Sequence, residues 1–207
     1  MPTYQLSIQI DSEGLNILNE AGQFVTIVKS VSPGTPIVWV SFQPLEANMV
    51  TWTETYSVYA STSPILYGAQ IMAQSTQPAV GGYTYTLSGG QFDNGEPRLL
   101  PTMVGVMNDD PDFRVDGVQL ITSGIYQEAI VNGALTVSPL NAVGIPYREL
   151  TTFMPTEKVQ VFASDFGNNG LVISSVTWPT LLVDLTQGPQ TIHYNAATNQ
   201  FVMGPLP

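Results

Sequence analysis

The sequence contains no cysteine, so no disulfide staples the chain and no thiolate can bind a metal. Charge is also scarce: 10% of the 207 residues are Asp, Glu, Lys or Arg, against about a quarter in an ordinary soluble domain. Ser, Thr, Asn, Gln and Gly must therefore cover most of the surface. Cations are scarcer still. Five Lys and Arg against sixteen Asp and Glu leave a net charge of -11, which repels phosphate backbones and anionic lipid heads and argues against nucleic acid as a partner. No apolar run approaches the roughly 18 residues of a spanning helix, and no transmembrane segment is expected. The start MPTYQLSIQI lacks a basic n-region and a continuous apolar h-region. The expectation is a soluble chain, cytosolic or exported without a cleaved leader.

The usual catalytic constellations are missing too. His193 is the one histidine, and any Ser-His-Asp triad would need it as base, yet no G-x-S-x-G accompanies it. Its setting, the alternating segment QTIHYN, reads as a strand histidine with a structural hydrogen bond. Zinc chemistry would have to rest on carboxylates, which suit harder cations. Lys29 and Lys158 lie in strand-like contexts without a glycine-rich phosphate loop. The expectation is a protein that is not an enzyme.

What the sequence does have is alternation. YQLSIQI (Tyr4 to Ile10), FVTIV (Phe24 to Val28), IVWVSF (Ile37 to Phe42), YSVYA (Tyr56 to Ala60), YTYTL (Tyr83 to Leu87), EKVQVFAS (to Ser164), LVISSV (Leu171 to Val176) and LLVDL (Leu181 to Leu185) are rich in Val, Ile, Thr and Tyr, most of them with a period of two. Turn groups such as SPGTP, SGGQFDNGEP and FGNNG separate them. Many short strands at this spacing read as a sandwich or barrel. Only SEGLNILNEAG and TSGIYQEAIVNG offer helical turns, and each also reads as a wide loop.

Collinear echoes run through the chain. Ser12, Gly14 and Gly22 match Thr122, Gly124 and Gly133; Phe42, Pro44 and Glu46 match Phe153, Pro155 and Glu157. Tyr59-Ala60-Ser61 matches Phe162-Ala163-Ser164, and Tyr85, Gln91 and Phe92 match Tyr194, Gln200 and Phe201. The fold class expected is all-β: an antiparallel β-sandwich built from two tandem, internally duplicated halves with a pseudo-twofold relation. The boundaries are a first repeat over 1–97, a connector over 98–113 and a second repeat over 114–207. The scarcity of charge favours two halves that share one core.

Three groups stand out as candidate sites. In TWTETYSVY, regular alternation would place Trp52, Glu54 and Tyr56 on one face, where an exposed aromatic beside a carboxylate could stack on a sugar or sit at a membrane interface; the same rings could equally fill the core. NDDPDFRVD gathers Asp109, Asp110, Asp112 and Asp116, a weak Ca²⁺ candidate because Phe113 stands where an EF-hand loop has glycine. Glu46 and Glu157 form a pair by repetition that could hydrolyse glycosides, although each reads as a turn residue bonded to nearby backbone. Trp39 reads as core, and Trp178 before Pro179 is open.

In its cysteine-free, weakly charged β character the chain is similar to leaderless microbial lectins and cytolysins. That likeness implies a non-enzymatic binding protein recognising glycans or a target-cell surface. A structural, self-assembling β protein and a homo-oligomer are the alternative, and a carboxylate-dependent glycoside hydrolase comes third.

Overall fold

A computed structural model describes residues 2–173 and 179–207. The end of the LVISSV segment and Trp178 lie outside the described residues. Along the chain the elements are β1 (Thr3–Gln9), α1 (Ser12–Glu20), β2 (Phe24–Ser32), β3 (Thr35–Pro36), β4 (Val40–Phe42), β5 (Ala47–Thr53) and β6 (Tyr56–Ser61). They continue with β7 (Ser75–Ala79), β8 (Tyr83–Ser88), β9 (Gln91–Phe92), β10 (Glu96–Pro97), β11 (Val104–Asn108) and β12 (Leu120–Val131). The last are β13 (Ala134–Pro139), β14 (Asn141–Pro146), β15 (Leu150–Ser164), β16 (Leu181–Asp184), β17 (Gln190–Asn195) and β18 (Gln200–Met203).

The two segments that were ambiguous in sequence take different forms. SEGLNILNE becomes α1, because Asp11 caps it by accepting the Gly14 N–H at 2.7 Å and Gly22 leaves it at a φ of +62°. TSGIYQEAIV lies in strand β12, which turns into β13 through Asn132-Gly133, both at positive φ as a tight hairpin turn requires.

Two curled sheets result, one of ten strands in the order β18-β17-β1-β5-β12-β14-β3 with β6, β7 and β13 beside that path, the other of eight in the order β10-β8-β11-β15-β2-β4 with β9 and β16 beside it. Most pairings are antiparallel, as alternation and short turns suggest. Each sheet also holds a parallel pairing, β1 with β17 and β11 with β8, so the sheets are mixed. No hairpin joins these partners: β17 comes from the far end of the chain, and β8 and β11 are separated by two short strands.

The two orders are related. Exchanging β1 with β11, β2 with β12, β4 with β14, β8 and β9 with β17 and β18, and β5 plus β6 with β15 maps the run β18-β17-β1-β5-β12-β14 onto β9-β8-β11-β15-β2-β4, parallel pairs included, and leaves β3, β7, β10, β13 and β16 outside the match. Strands of residues 1–97 and of later residues thus alternate within both sheets. The stretch 98–113, read in sequence as a connector, carries β11 between β8 and β15.

One large apolar cluster lies between the sheets, drawing Leu6, Ile8 and Val50 from one and Ile27, Val106, Phe153 and Val161 from the other. Burial of such side chains is the main favourable term in the fold. Close packing also fixes where glycine is needed. A Cβ on Gly124 would lie 2.3 Å from the Asn141 carbonyl oxygen, a backbone atom that cannot swing aside, whereas at Gly144 the nearest neighbour is a leucine methyl at 3.6 Å. Gly124→Ala is therefore expected to cost about 2 kcal/mol or more and Gly144→Ala about 0.5 kcal/mol or less, read from urea unfolding midpoints.

Candidate functional site

Between the sheets, one group of polar side chains interrupts the apolar core. Lys29, on β2, is fully buried; its ammonium lies 2.8 Å from both carboxylate oxygens of Glu157 on β15 and 2.8 Å from Oε1 of Gln127 on β12. The opposite sheet completes the shell. The Trp52 indole N–H donates to Glu157 Oε2 at 2.7 Å, and the Tyr56 hydroxyl donates to Oε1 at 2.6 Å. Gln127 gives its own amide N–H to the Thr53 carbonyl at 2.8 Å, and its backbone carbonyl accepts from the Trp39 indole at 3.2 Å. The Lys29 ammonium lies 5.3 to 5.7 Å from the ring centres of Tyr56, Trp52 and Trp39.

This cluster exists because two chain irregularities face each other. β15 is bulged between Pro155 and Val159, which turns Glu157 inward. The opposite strand breaks at Glu54-Thr55, between β5 and β6, so that Trp52 and Tyr56 both reach the same carboxylate. Buried charges require such a shell, since an ion in a dry core is costly until paired and hydrogen-bonded.

The electrostatics follow from burial. Desolvation pushes the Lys29 ammonium down from its ordinary 10.5 to about 8, against the upward pull of Glu157. Burial, and then Glu157, hold the Tyr56 phenol far above its usual 10.0. Burial likewise raises Tyr59. Tyr4, stacked on Trp52 at 5.8 Å, is raised by burial and then by the charges of Glu157 and Glu54.

The candidate residues fall in different places. Trp52 is 3% exposed, its ring packed against Tyr4 and Trp39, so it is a core residue and not an exposed stacking platform. Its indole N–H needed an acceptor and found one inside. Tyr56 is half-buried and lines a cleft of about 490 Å³ together with Glu54, Thr55, Pro78, Val80, Pro101 and Pro155. Glu54 is exposed at that cleft, and its carboxylate makes no hydrogen bond or ion pair among the described residues. Alternation therefore brings Trp52 and Tyr56 to one carboxylate, while the break at Glu54-Thr55 sends Glu54 outward.

The acidic segment does not form a cation cage. Asp110 is buried and spends its carboxylate on the Gly90 and Asp112 N–H groups, while Asp109, Asp112 and Asp116 are exposed. Among the described residues no three acidic or histidine side chains gather around one point. Glu46 and Glu157 do not face one another as an acid pair: Glu46 is exposed, and Glu157 sits in a bulged strand, not in a turn. His193 makes the structural contact its segment suggested, Nδ1 to the Gly204 carbonyl at 2.9 Å. Trp39 is fully buried.

Strand partners give a second alignment of the segments before Ser61 and Ser164. Ser61, Ala60 and Val58 pair with Thr122, Ser123 and Ile125; Ser164, Ala163 and Val161 pair with Phe24, Val25 and Ile27. Carried back along both strands without a gap, this matches Thr53-Glu54 to Thr156-Glu157. The ungapped pattern Thr-Glu-x-x-x-Val-aromatic-Ala-Ser occurs at both places and was the signal in the sequence for the site. Glu54, not Glu46, is then the counterpart of Glu157, and Gln127 is the counterpart of Lys29. No helix among the described residues is long and apolar enough to cross a membrane. No protein-family model, curated protein or solved structure matches the chain.

Two outcomes test this cluster. Lys29→Met strands a buried carboxylate and is expected to cost about 3–5 kcal/mol in urea unfolding, with Lys29→Met/Glu157→Gln recovering more than half of the loss. The second concerns pH. Because Lys29 has a lower pKa folded than unfolded, the unfolded chain binds the extra proton between about pH 8 and 10.5, and stability rises with pH across that window. The buried tyrosines act oppositely: their raised folded values make stability fall once unfolded phenols ionise above about 10. Melting temperature should climb from pH 8 toward 10 and then drop, and Lys29→Met should remove the climb but keep the drop.

Proposed function

We propose that this protein is a non-enzymatic recognition protein that binds a neutral or cationic group on a glycan or a target-cell surface, in the cleft beside Tyr56. The observation that carries this reading is the composition of the cleft wall. Three prolines, Ala79, Val80, Val104 and the Tyr56 ring supply apolar contact, Thr55 and Thr102 supply hydroxyls, and Glu54 supplies the one charge; none of the described lining residues is Lys, Arg or His. A mostly apolar concavity with a few polar groups is the ordinary form of a ligand site. Such a wall disfavours ligands of net negative charge, such as sulfated or sialylated glycans, in keeping with the net charge of -11. Tyr56 is held rigidly from behind by Glu157, which lowers the entropy lost when a ligand packs on its ring.

We read the exchangeable strand orders as the trace of an internal duplication in a two-sheet sandwich. Support comes from the parallel pairings, which join each half to the hairpin of the other. The ungapped Thr-Glu pattern supports it as well.

A second reading, self-association, is favoured by the outer face of the ten-stranded sheet. Ile130 and Leu135 stand opposite one another there, Val137 is opposite Glu128, and all three apolar residues are exposed beside Met49. Concentration-dependent sedimentation abolished by Ile130→Lys would support it.

The cleft reading is tested by a glycan and lipid binding screen of the wild type and Thr102→Trp. Retention on neutral or amine-bearing ligands, none on acidic ones, and loss of retention in Thr102→Trp are expected. Binding that Thr102→Trp leaves intact would place the ligand elsewhere.

A further inference from the structure

Glu54 and Glu157 occupy matching positions, yet their surroundings differ in one respect. Glu157 has a cation supplied by the chain, Lys29; in the other half the matching position is Gln127, which has no charge and is turned to Lys29 and the Thr53 carbonyl. Glu54 is thus the carboxylate of the pair left without a cation. It stands at the rim of the cleft, next to an aromatic ring whose neighbourhood already holds an ammonium: Lys29 lies 5.3 Å from the centre of Tyr56. Lys29 is in contact with Glu157 and feels Glu54 only at longer range, so Glu54 is the one charged residue on the cleft wall and has no cation in contact with it.

We propose that the cleft at Glu54 and Tyr56 binds an alkylammonium group of an external ligand, giving Glu54 from outside what Lys29 gives Glu157 from within. This rests on the recognition reading above and names the chemistry of its ligand. Carboxylate and aromatic ring together attract a cation that each alone would hold weakly. The proline and valine walls fit the carbons attached to such a nitrogen. The wall is firmly set on one side, since a Cβ on Gly81 would lie 2.0 Å from the Pro101 carbonyl oxygen and Gly82 N–H donates to the Met103 carbonyl. A primary alkylammonium occurs on amino sugars and on the ethanolamine heads of zwitterionic lipids, and both sources offer the same chemistry.

The test titrates isotope-labelled full-length protein with n-butylammonium chloride and, separately, with n-butanol, following resonances of Tyr56, Val80 and Thr102. Saturable shifts with the ammonium and none with butanol at equal concentration are expected. Glu54→Gln should weaken binding about fivefold or more with an unchanged fold, and Thr102→Lys, which gives Glu54 a cation from the chain, should abolish it. Equal response to butanol, or full affinity in Glu54→Gln, would overturn the proposal. If neutral glycans bind this cleft while butylammonium does not, the ammonium assignment falls and the recognition reading stands; if nothing binds there, both fall. Retention on glucosamine oligomers but not on vesicles containing phosphatidylethanolamine supports the proposal with an amino sugar as source, and the reverse supports it with a lipid head.

Discussion

One buried ion pair, Lys29 with Glu157, constrains the centre of this molecule. It joins β2 and β15 of one sheet to Trp52, Tyr56 and Gln127 of the other, so the sheets meet through directional hydrogen bonds as well as through non-directional apolar contact. A buried pair of this kind adds little net stability compared with a well-packed apolar replacement, because both ions lost their hydration. Its effect is geometric. Two carboxylate oxygens and three ammonium protons accept only a narrow set of arrangements, and the rings of Trp39, Trp52 and Tyr56 are set by them. Tyr56 carries this order to the surface, where its ring lines the cleft.

On the proposed duplication, the shared central run of the two sheet orders gives meaning to the asymmetry at the centre. One apolar position corresponds closely: Trp39 and Leu140 donate their backbone N–H to the carbonyls of Ile27 and Ile125. At the centre that symmetry breaks, with Lys29 in one half and Gln127 in the other. One half closes over its glutamate and serves architecture. The other leaves its glutamate at a cleft, and there the architecture meets solvent.

Sequence legibility follows the range of the interactions involved. Strands β1, β2, β4, β6, β8, β15, β16 and β17 were readable because alternation is local and reports which side faces a core, whereas β12 reads as a helical turn or loop. The all-β class follows from alternation and turn residues, but the segment of α1 is open between helix and loop until the Asp11 cap is seen. Partners across the sheets were not readable in the same way. Lys29 carried no motif, and its importance comes from a carboxylate 128 residues away in sequence. Trp52 and Tyr56 stood out as aromatics, but whether a strand aromatic points to solvent or core depends on the other sheet. The loose match of Glu46 to Glu157 required an insertion; the ungapped match of Glu54 to Glu157 was present in the residues and needed strand pairing to be chosen.

The most direct measurement is the ionisation of Lys29 itself, followed by NMR of the side-chain nitrogen in the intact protein. The expected result is an ammonium whose protons exchange slowly with water and show couplings to Glu157, with a titration midpoint well below 10.5, at about 8. A freely exchanging ammonium titrating at the ordinary lysine value would contradict it, because Lys29 would then be in contact with solvent and could not be the bridge that sets Tyr56 at the cleft.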